Sequence, residues 1–232
     1  MTDLSSSSII AIILARGGSK GVPRKNLRLF AGIPLIVHSI IDARESELVE
    51  RVYVSTEDAE IADISRQYGA EIIDRPLELA DDKAASAPAL IHAVAEIEKN
   101  RVFPRLIVFL QCTCPLRTGQ DIDRAIQHLQ NTAADSLLSV SPAHTFLWEE
   151  SDRYARSINY DYRQRPRRQD FRSQFRENGS IYIFQPRVLH QFGNWLGGKI
   201  TLFKMGENVW DIDSLLDFKI AETIRQHNHH EN

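Results

Sequence analysis

The chain has 232 residues, of which 43% are hydrophobic and 25% charged, and its formal net charge at pH 7 is −3. This composition is typical of a globular protein and excludes collagen-like, disordered and disulfide-rich classes. No apolar run approaches the roughly 20 residues that cross a bilayer, and the opening MTDLSSSSII lacks the basic stretch of a secretory signal. The only cysteines, Cys112 and Cys114, are poorly spaced for a bridge. We therefore expect a reduced, cytoplasmic protein that does not associate with membranes.

Short apolar runs alternate with amphipathic segments over the first 140 or so residues. Strands are predicted at 8–15, 51–56, 70–74, 105–111 and 135–141, and helices near 34–45, 57–68, 85–100 and 119–131. This alternation predicts an α/β fold, with a mostly parallel, Rossmann-like sheet flanked by helices.

The alternation breaks after Pro142. Residues 143–174 are rich in Arg, Tyr and Asp and predict short strands or loops. Strands are then predicted at 175–184 and 198–205, and a terminal helix at 214–227, which the pair Ser214 and Asp217 would begin with a capping box. We predict one domain over 1–232, from which an insertion at 142–174 protrudes.

The first motif, LARGGSKGVPRKN (14–26), follows the first strand directly. Its glycines allow a close approach of backbone to ligand, and residues 16–28 carry five cations and no acid. The motif matches neither of the common phosphate-loop patterns. We interpret it as a long loop that wraps a triphosphate; the alternative is a solvated basic turn.

Two further segments, RPLELADDKAAS (75–86) and QCTCPLRTG (111–119), follow the third and fourth strands. The carboxyl ends of parallel strands meet at one edge of a sheet, where open α/β domains bind ligands. The basic patches are compact and the rest of the chain is acidic, which favours a small polyanion and argues against nucleic acid.

The segment VWDIDS (209–214) holds a pair of carboxylates. In an extended backbone Asp211 and Asp213 face the same side, while Ile212 turns toward the core. Two neighbouring carboxylates and a substrate phosphate suit Mg²⁺. In the alternative interpretation Asp213 caps the terminal helix and Asp211 is merely solvated.

A second basic patch contains six arginines between residues 161 and 176. Arginine binds phosphate and carboxylate through two nitrogens at once, so an anionic substrate is a plausible ligand. A solvated charged face is the alternative. The two cysteines and the three tryptophans are interpreted as packing residues.

In these motifs the chain resembles the acylneuraminate cytidylyltransferases, the family that makes CMP-sialic acid and related CMP-nonulosonic acids. The segments LARGGSKGVPRKN, RPLELADD, QCTCPLRTG, RRQD with RENGSIYIF, and DIDSLLD stand in the family's order. The resemblance implies a nucleotide-diphospho-sugar-transferase fold with CTP as co-substrate and Mg²⁺ as cofactor. It also implies a homodimer formed through residues 142–174.

The resemblance also implies roles for individual residues. In the nucleotide site, Arg16, Gly17, Gly18, Ser19, Lys20 and Lys25 would form the phosphate loop, and Asn26, Arg75, Ala84 and Ser86 would surround the base and ribose. In the acceptor site, Gln111, Arg176 and Tyr182 would contact the acidic sugar, and Arg168 would reach the partner's site. Asp211 and Asp213 would hold the metal, and with Arg16 and Lys20 they would form the catalytic set.

Two departures from the family's pattern concern the acceptor. Where the family commonly has Gln-Pro-Thr-Ser-Pro this chain has QCTCP, and Phe171-Arg172 replaces a common Leu-Pro after RRQD. A nine-carbon 2-keto sugar acid is the expected acceptor, and legionaminic, pseudaminic and eight-carbon Kdo acids are alternatives. A CTP-binding protein without turnover is the rival from another class. The chain ends after the terminal helix, so we expect none of the hydrolase-like domain that some relatives carry.

Overall fold

The computed structural model describes residues 8–19, 21–81, 85–170, 173–207 and 209–230, but not the side chains of Arg168 and of residues 228–230. The strands are β1 (Ile9–Leu14), β2 (Leu29–Phe30), β3 (Ile33–Pro34), β4 (Arg51–Thr56), β5 (Glu71–Asp74), β6 (Leu106–Gln111), β7 (Ser136–Ala143), β8 (Trp148–Ser151), β9 (Tyr154–Ser157), β10 (Gln174–Phe184) and β11 (Ile200–Lys204). The helices are α1 (Leu35–Glu45), α2 (Ala59–Gln67), α3 (Ser86–Lys99), α4 (Gly119–Thr132), α5 (Pro186–Phe192) and α6 (Leu215–His230).

Each strand and helix predicted from the sequence is present to within a few residues. The structure adds α5 and the β2–β3 pair, which are too short to produce a periodic pattern. The predicted capping box at the start of α6 is confirmed: the Asp217 amide donates to the Ser214 hydroxyl, and the Asp217 carboxylate accepts from the Ser214 amide.

Seven strands form one sheet in the order β11-β7-β10-β6-β1-β4-β5. All neighbouring strands are parallel except β10, which runs antiparallel to both β6 and β7. The sheet is therefore mostly parallel, as predicted. Its parallel strands end at a common edge.

Helices cover both faces of the sheet. Ala11 and Ile13 of β1 belong to an apolar cluster that includes residues of α1, α2 and α4. The alternate residues Ile10 and Ile12 belong to a second cluster, which includes residues of α3 and α5. Because successive side chains of a strand point to opposite faces, β1 contributes to both cores at once.

A third, smaller apolar cluster connects distant parts of the chain. Val22 comes from the glycine-rich loop (14–26), and Ile212 lies in the acidic segment (209–214). Leu35 begins α1, and Phe218 and Ala221 belong to α6. Burial of such side chains contributes roughly 1.5–3 kcal/mol each. This cluster holds the glycine-rich loop and the acidic segment against the same end of the sheet.

Between β7 and β10 the chain leaves the sheet and forms the antiparallel β8–β9 hairpin. Aromatic side chains gather around it, with ring centroids 4.4 Å apart for Phe146 and Tyr160 and 5.6 Å apart for Trp148 and Tyr162. None of the described side chains between 144 and 170 is buried.

None of the described helices is both long enough and apolar enough to cross a bilayer.

His38 is a buried titratable group between α1 and α6. Its Nε2 donates to the Phe30 carbonyl at 2.8 Å, and its Nδ1 accepts from Arg225 at 3.0 Å. Arg225 can only donate, so the ring is neutral with its proton on Nε2. Burial lowers the pKa of His38 to about 4, and the charge of Arg225 adds to this, whereas the hydrogen bond to Phe30 opposes it.

We expect His38 to make stability depend on pH. As the pH falls from 6.5 to about 4, the unfolded chain protonates this histidine and the folded chain does not. The free energy of unfolding should therefore fall by about 2 kcal/mol across that range. Urea unfolding checks this, with His38→Gln as the control, because glutamine can still donate to Phe30 but does not titrate. Equal pH slopes for both proteins would contradict the assignment.

Candidate functional site

A cavity of about 470 Å³ opens at the carboxyl edge of the sheet. Leu14 of β1 pairs with Ser55 of β4 and with Gln111 of β6, so these three strands end side by side. Residues after each strand turn into the cavity, as expected for an open parallel sheet. Its lining includes Arg16, Ser19, Lys25, Asn26, Arg75, Ser86, Gln111 and Asp213 from the residues predicted to form the site. Lys20 and Ala84 lie outside the described residues.

The glycine-rich loop is held by contacts with two other segments. The buried Asn26 side chain donates to the Arg16 carbonyl at 2.9 Å, which closes the loop on itself. The Gly17 amide donates to the Glu57 carboxylate at 2.7 Å, just beyond β4. At the cavity mouth the Arg16 guanidinium donates to the Asp81 carbonyl at 3.1 Å. The loop is therefore anchored to the segments that follow β4 and β5.

Acids from elsewhere neutralise part of the loop's positive charge. Arg24, in the left-handed region with φ of 56°, forms ion pairs with Asp58 and Glu60. Its hydrogen bond holds the pKa of Asp58 below the ordinary value. Lys25 donates to the Ile212 carbonyl at 2.7 Å and to Asp213 at 3.1 Å. The sequence shows five cations without an acid, but the tertiary structure supplies carboxylates to at least two of them.

Two of the loop's glycines lie close to neighbouring segments, Gly21 against backbone and Gly17 against a side chain. A Cβ on Gly21 would lie 2.6 Å from the backbone oxygen of Asp213, and a Cβ on Gly17 would overlap the Asp58 carboxylate. At Gly18 no described atom lies within 4 Å of the same position. Gly17 and Gly21 thus allow the loop to pack against its neighbours, whereas Gly18 is open.

Arg75 stands at the end of β5, at the back of the cavity. Its guanidinium is buried and donates to the hydroxyl of Ser55 at 3.1 Å and to the carbonyl of the same residue. Burial lowers the pKa of Arg75, although the group remains charged at neutral pH. Ser86, which begins α3, lines the same cavity from an exposed position.

The carboxylate pair lies beside this loop. The Ile212 side chain is fully buried, as predicted, and the Ile212 amide donates to the Thr113 carbonyl at 2.9 Å. Burial raises the pKa of Asp211, and the nearby charge of Asp213 adds to this, while Thr113 opposes it. The two carboxylates therefore repel each other, which favours a shared cation. The described residues contain no group of three or more potential metal ligands, so Mg²⁺ here would take further oxygens from phosphate and water.

The alternative role for Asp213, capping of α6, is wrong. The cap is the hydroxyl of Ser214, and the Asp217 carboxylate accepts from the amides of both Asp213 and Ser214. The Asp213 side chain is instead 80% exposed and its carboxylate contacts Lys25. Its charge is thus available at the cavity.

The residues predicted for the acceptor side lie in different places. Gln111 lines the cavity, and its Oε1 lies 3.3 Å from where a Cβ of Gly179 would be; the Asp211 carboxylate lies 3.7 Å from the same point. Tyr182 is buried against Phe109 with ring centroids 5.6 Å apart, and its hydroxyl donates to Glu177. Burial raises the pKa of Tyr182. Of the residues predicted for the acceptor side, Gln111 is therefore the one that lies in the described lining of the cavity.

The two arginines predicted for this side are not part of the cavity lining. Arg176 is exposed on β10 opposite Ser141. Arg168 begins a short 3-10 turn in the excursion, and its side chain lies outside the description. A role for either at the cavity stays a prediction.

Sequence reasoning missed three residues that shape this end of the cavity. Phe109 and Thr113 line it, and a Cβ on Gly179, where φ is 69°, would lie within 4 Å of both Gln111 and Asp211. Thr113 and Gly179 lie within the sequence motifs QCTCP and RENGS. Their place in these motifs was the sequence signal that could have identified them. The interpretation of Cys112 and Cys114 as packing residues is confirmed: both are buried and unpaired, and burial raises the pKa of each to about 12.

We expect Gly21→Ala to destabilise the fold by about 1–3 kcal/mol, because the new methyl group would force the backbone at Asp213 to move. Gly18→Ala is the matched control and should change stability by no more than about 0.5 kcal/mol. Denaturant unfolding measures both. Equal stabilities for the two variants would show that the loop and the acidic segment are not in close contact.

Comparison with known proteins agrees with this arrangement. A family model described as "Cytidylyltransferase" matches residues 10–202. The chain is 35% identical to N-acylneuraminate cytidylyltransferase A of Danio rerio across 94% of its own length, but it spans only 50% of that relative. It is 32% identical to CMP-N,N'-diacetyllegionaminic acid synthase of Campylobacter jejuni, with 94% of this chain and 95% of that protein covered.

A solved structure supports the same fold. CMP:2-keto-3-deoxy-manno-octonic acid synthetase complexed with CTP superimposes with a TM-score of 0.72, covering 96% of this chain and 100% of that one. At 19% identity this similarity concerns the fold alone. The family model, by contrast, matches the sequence from β1 into β11 and includes most of the cavity. The chain belongs to the cytidylyltransferase family.

Proposed function

We propose that the chain transfers CMP from CTP to a nine-carbon 2-keto sugar acid. The anomeric hydroxyl oxygen attacks the α-phosphorus and loses its proton, the bond between the α- and β-phosphates breaks, and pyrophosphate leaves. The carrying observation is the cavity at the sheet edge, where Arg16 and Lys25 of the glycine-rich loop lie with Asp213 in a member of the cytidylyltransferase family. Catalysis of this kind depends on positioning and on charge stabilisation.

In this proposal the glycine-rich loop and its neighbours bind the nucleotide. Arg16, Lys20 and Lys25 neutralise the triphosphate, and the amides near Gly18 and Ser19 approach it. The base and ribose lie between Asn26, Arg75, Ala84 and Ser86. Support comes from the position of Arg16, Ser19, Lys25, Asn26, Arg75 and Ser86 around one cavity.

Asp211 and Asp213 are proposed to hold Mg²⁺. When bound, this cofactor supplies positive charge that stabilises the phosphate oxygens during transfer. Burial raises the pKa of Asp211 and the nearby charge of Asp213 adds to this rise, so a shared cation would stabilise the pair. Lys25, which already contacts Asp213, stands at the boundary between this pair and the triphosphate.

For the acceptor, N-acylneuraminate is the principal candidate and legionaminic acid the second. The second is supported by similarity to a relative of that name: over 94% of its length the chain is 32% identical to CMP-N,N'-diacetyllegionaminic acid synthase of Campylobacter jejuni. Gln111 would contact the acid within the cavity, with Tyr182 and Arg176 on the same side. Pseudaminic and Kdo acids, and a CTP-binding protein without turnover, are the remaining alternatives.

Pyrophosphate release tests the proposal. The purified chain with CTP and Mg²⁺ should release pyrophosphate in the presence of a nine-carbon acid, and the panel should contain neuraminic, legionaminic, pseudaminic and Kdo acids. Omission of the acid or of the metal should abolish release. Binding of CTP without release for any acid would favour the non-catalytic alternative.

The variant Asp213→Asn tests the proposed metal site in the same assay. It should lower metal-dependent turnover at least about 100-fold, because one ligand charge is lost, and it should leave the unfolding free energy nearly unchanged. Asp217→Asn is the matched control: it weakens the helix cap and should cost about 1 kcal/mol of stability while turnover is retained. The reverse pattern would show that Asp213 is structural.

We also propose that the chain works as a homodimer joined through residues 142–174. The β8–β9 hairpin and its flanks expose large apolar side chains, among them Tyr154 at 81%, Ile158 at 55% and Trp148 at 47%. Such a patch on a protruding arm favours association, and a two-fold dimer is the commonest form. Arg168 would then reach the partner's cavity. The two unpaired thiols support a reducing, cytoplasmic setting.

Subunit complementation tests the shared site. Arg168→Ala and Asp213→Asn should each be inactive alone. In a mixed dimer one site carries both defects and the other carries neither, so about half of the heterodimer sites should work. Failure to recover activity after confirmed subunit exchange, or a monomer in solution scattering, would reject this assembly.

A further inference from the structure

Arg117 is a fully buried arginine behind the cavity, in the segment that follows β6. Its side chain has no exposed surface. One terminal nitrogen, Nη1, donates to the carbonyls of Gln111 at 3.1 Å, Cys114 at 2.7 Å and Ser180 at 3.3 Å. The other, Nη2, donates to the hydroxyl of Ser39 on α1. The guanidinium therefore joins the turn after β6, strand β10 and helix α1.

The buried carboxylate of Asp42 faces this arginine. The Oδ2 of Asp42 lies 3.6 Å from Nε of Arg117, and neither atom has a hydrogen-bond partner among the described residues. Burial raises the pKa of Asp42 to about 7, and the charges of Arg117 and Arg225 oppose this rise. A buried charge is costly unless hydrogen bonds compensate it. For Arg117 most of that compensation comes from the backbone carbonyls.

Those carbonyls belong to the two segments that form the acceptor end of the cavity. Gln111 and Thr113 line the cavity, and the Thr113 carbonyl accepts from the Ile212 amide at 2.9 Å. Ser180 follows Gly179, beside which the side chains of Gln111 and Asp211 converge. Here the register between β10 and β7 shifts, between Glu177 and Tyr182. The position of this backbone therefore depends on contacts outside the β7 ladder.

We propose that Arg117 is a positioning residue for cytidylyl transfer, an inference that rests on the proposed function. Its guanidinium holds the 111–114 turn and the Gly179–Ser180 backbone at one separation, so that Gln111 and Asp211 face the same point. A lysine at this place would offer one ammonium group instead of two terminal nitrogens on a planar fork. Within the described part of the chain, the hydrogen bonds and the ion pair of Arg117 involve none of the nucleotide-site residues Arg16, Lys25, Arg75 and Ser86. CTP binding should therefore not depend on it.

The decisive variant removes both members of the buried pair, Arg117→Met with Asp42→Asn, so that no unpaired charge is left behind. We expect CTP affinity, measured by calorimetry without acceptor, to stay within about 3-fold of wild type. The kcat for pyrophosphate release should fall at least about 30-fold, since small misplacements of reacting groups have effects of this size. The control, Asp42→Asn alone, retains the contacts with the carbonyls and should keep kcat within about 3-fold.

Hydrogen exchange adds a measurement that does not need turnover. The amides of residues 112–114 and 179–181 should exchange faster in the double variant than in the Asp42→Asn control, while those of the glycine-rich loop should not change. If the double variant fails to fold, Arg117→Lys should show the same loss of kcat with CTP affinity retained.

Several results would overturn the inference. The first is an equal kcat in the double variant and in its control. The second is a loss of CTP affinity in the double variant as large as its loss of kcat. The third is unchanged hydrogen exchange at residues 112–114 in the double variant. If wild type releases no pyrophosphate with any acid, the proposed function fails instead. The exchange experiment then still decides whether Arg117 holds these backbone segments.

Discussion

The structure depends above all on the burial of β1 between β4 and β6. Its residues Ile10 to Ile13 are fully excluded from solvent, and they alternate between two apolar cores on opposite faces. Parallel pairing on both sides fixes where the strand ends. The glycine-rich loop can begin only there, next to the ends of the two neighbouring strands. The location of the cavity thus follows from the hydrophobic burial of one strand.

Opposite charges then connect this loop to the end of the chain. Lys25 contacts the Ile212 carbonyl and the Asp213 carboxylate, which are 187 and 188 residues away in sequence. The apolar cluster around Val22 and Phe218 buries the space behind this contact. The loop and the acidic segment consequently share one scaffold, although they come from opposite ends of the chain. A cavity that contains both cations and carboxylates suits a nucleotide with a divalent metal.

Buried polar groups give the back of the cavity its shape. A register shift interrupts the pairing of β10 with β7 near Gly179, and the β6 strand ends at Gln111. Backbone carbonyls in such places need donors other than a sheet neighbour. Arg117 supplies them for three carbonyls, and His38 forms a similar link between α1 and α6 through Phe30 and Arg225. Bulges next to functional sites commonly redirect side chains, and here the bend lies beside Gln111 and Asp211.

Local patterns in the sequence were enough to predict the order of strands and helices, the α/β class and the inward turn of Ile212. These features depend on hydrophobic periodicity and on neighbours a few residues apart. They also placed Arg16, Lys25 and Arg75 after strand ends and Gln111 at one, and parallel strands share an edge. The sequence pattern contains no information on strand direction, so the antiparallel course of β10 and the position of Tyr182 beneath Phe109 were not predictable.

Only the tertiary structure decided which charges meet. Two ion pairs, Arg24 with Asp58 and Lys25 with Asp213, join residues that are far apart in the sequence. The partners of Arg117 include three backbone carbonyls, which no side-chain pattern identifies. Such contacts arise when separate elements pack on one core, and the spacing of residues along the chain does not encode them. For the same reason the requirement for glycine at position 21 is visible only when the Asp213 backbone lies against it.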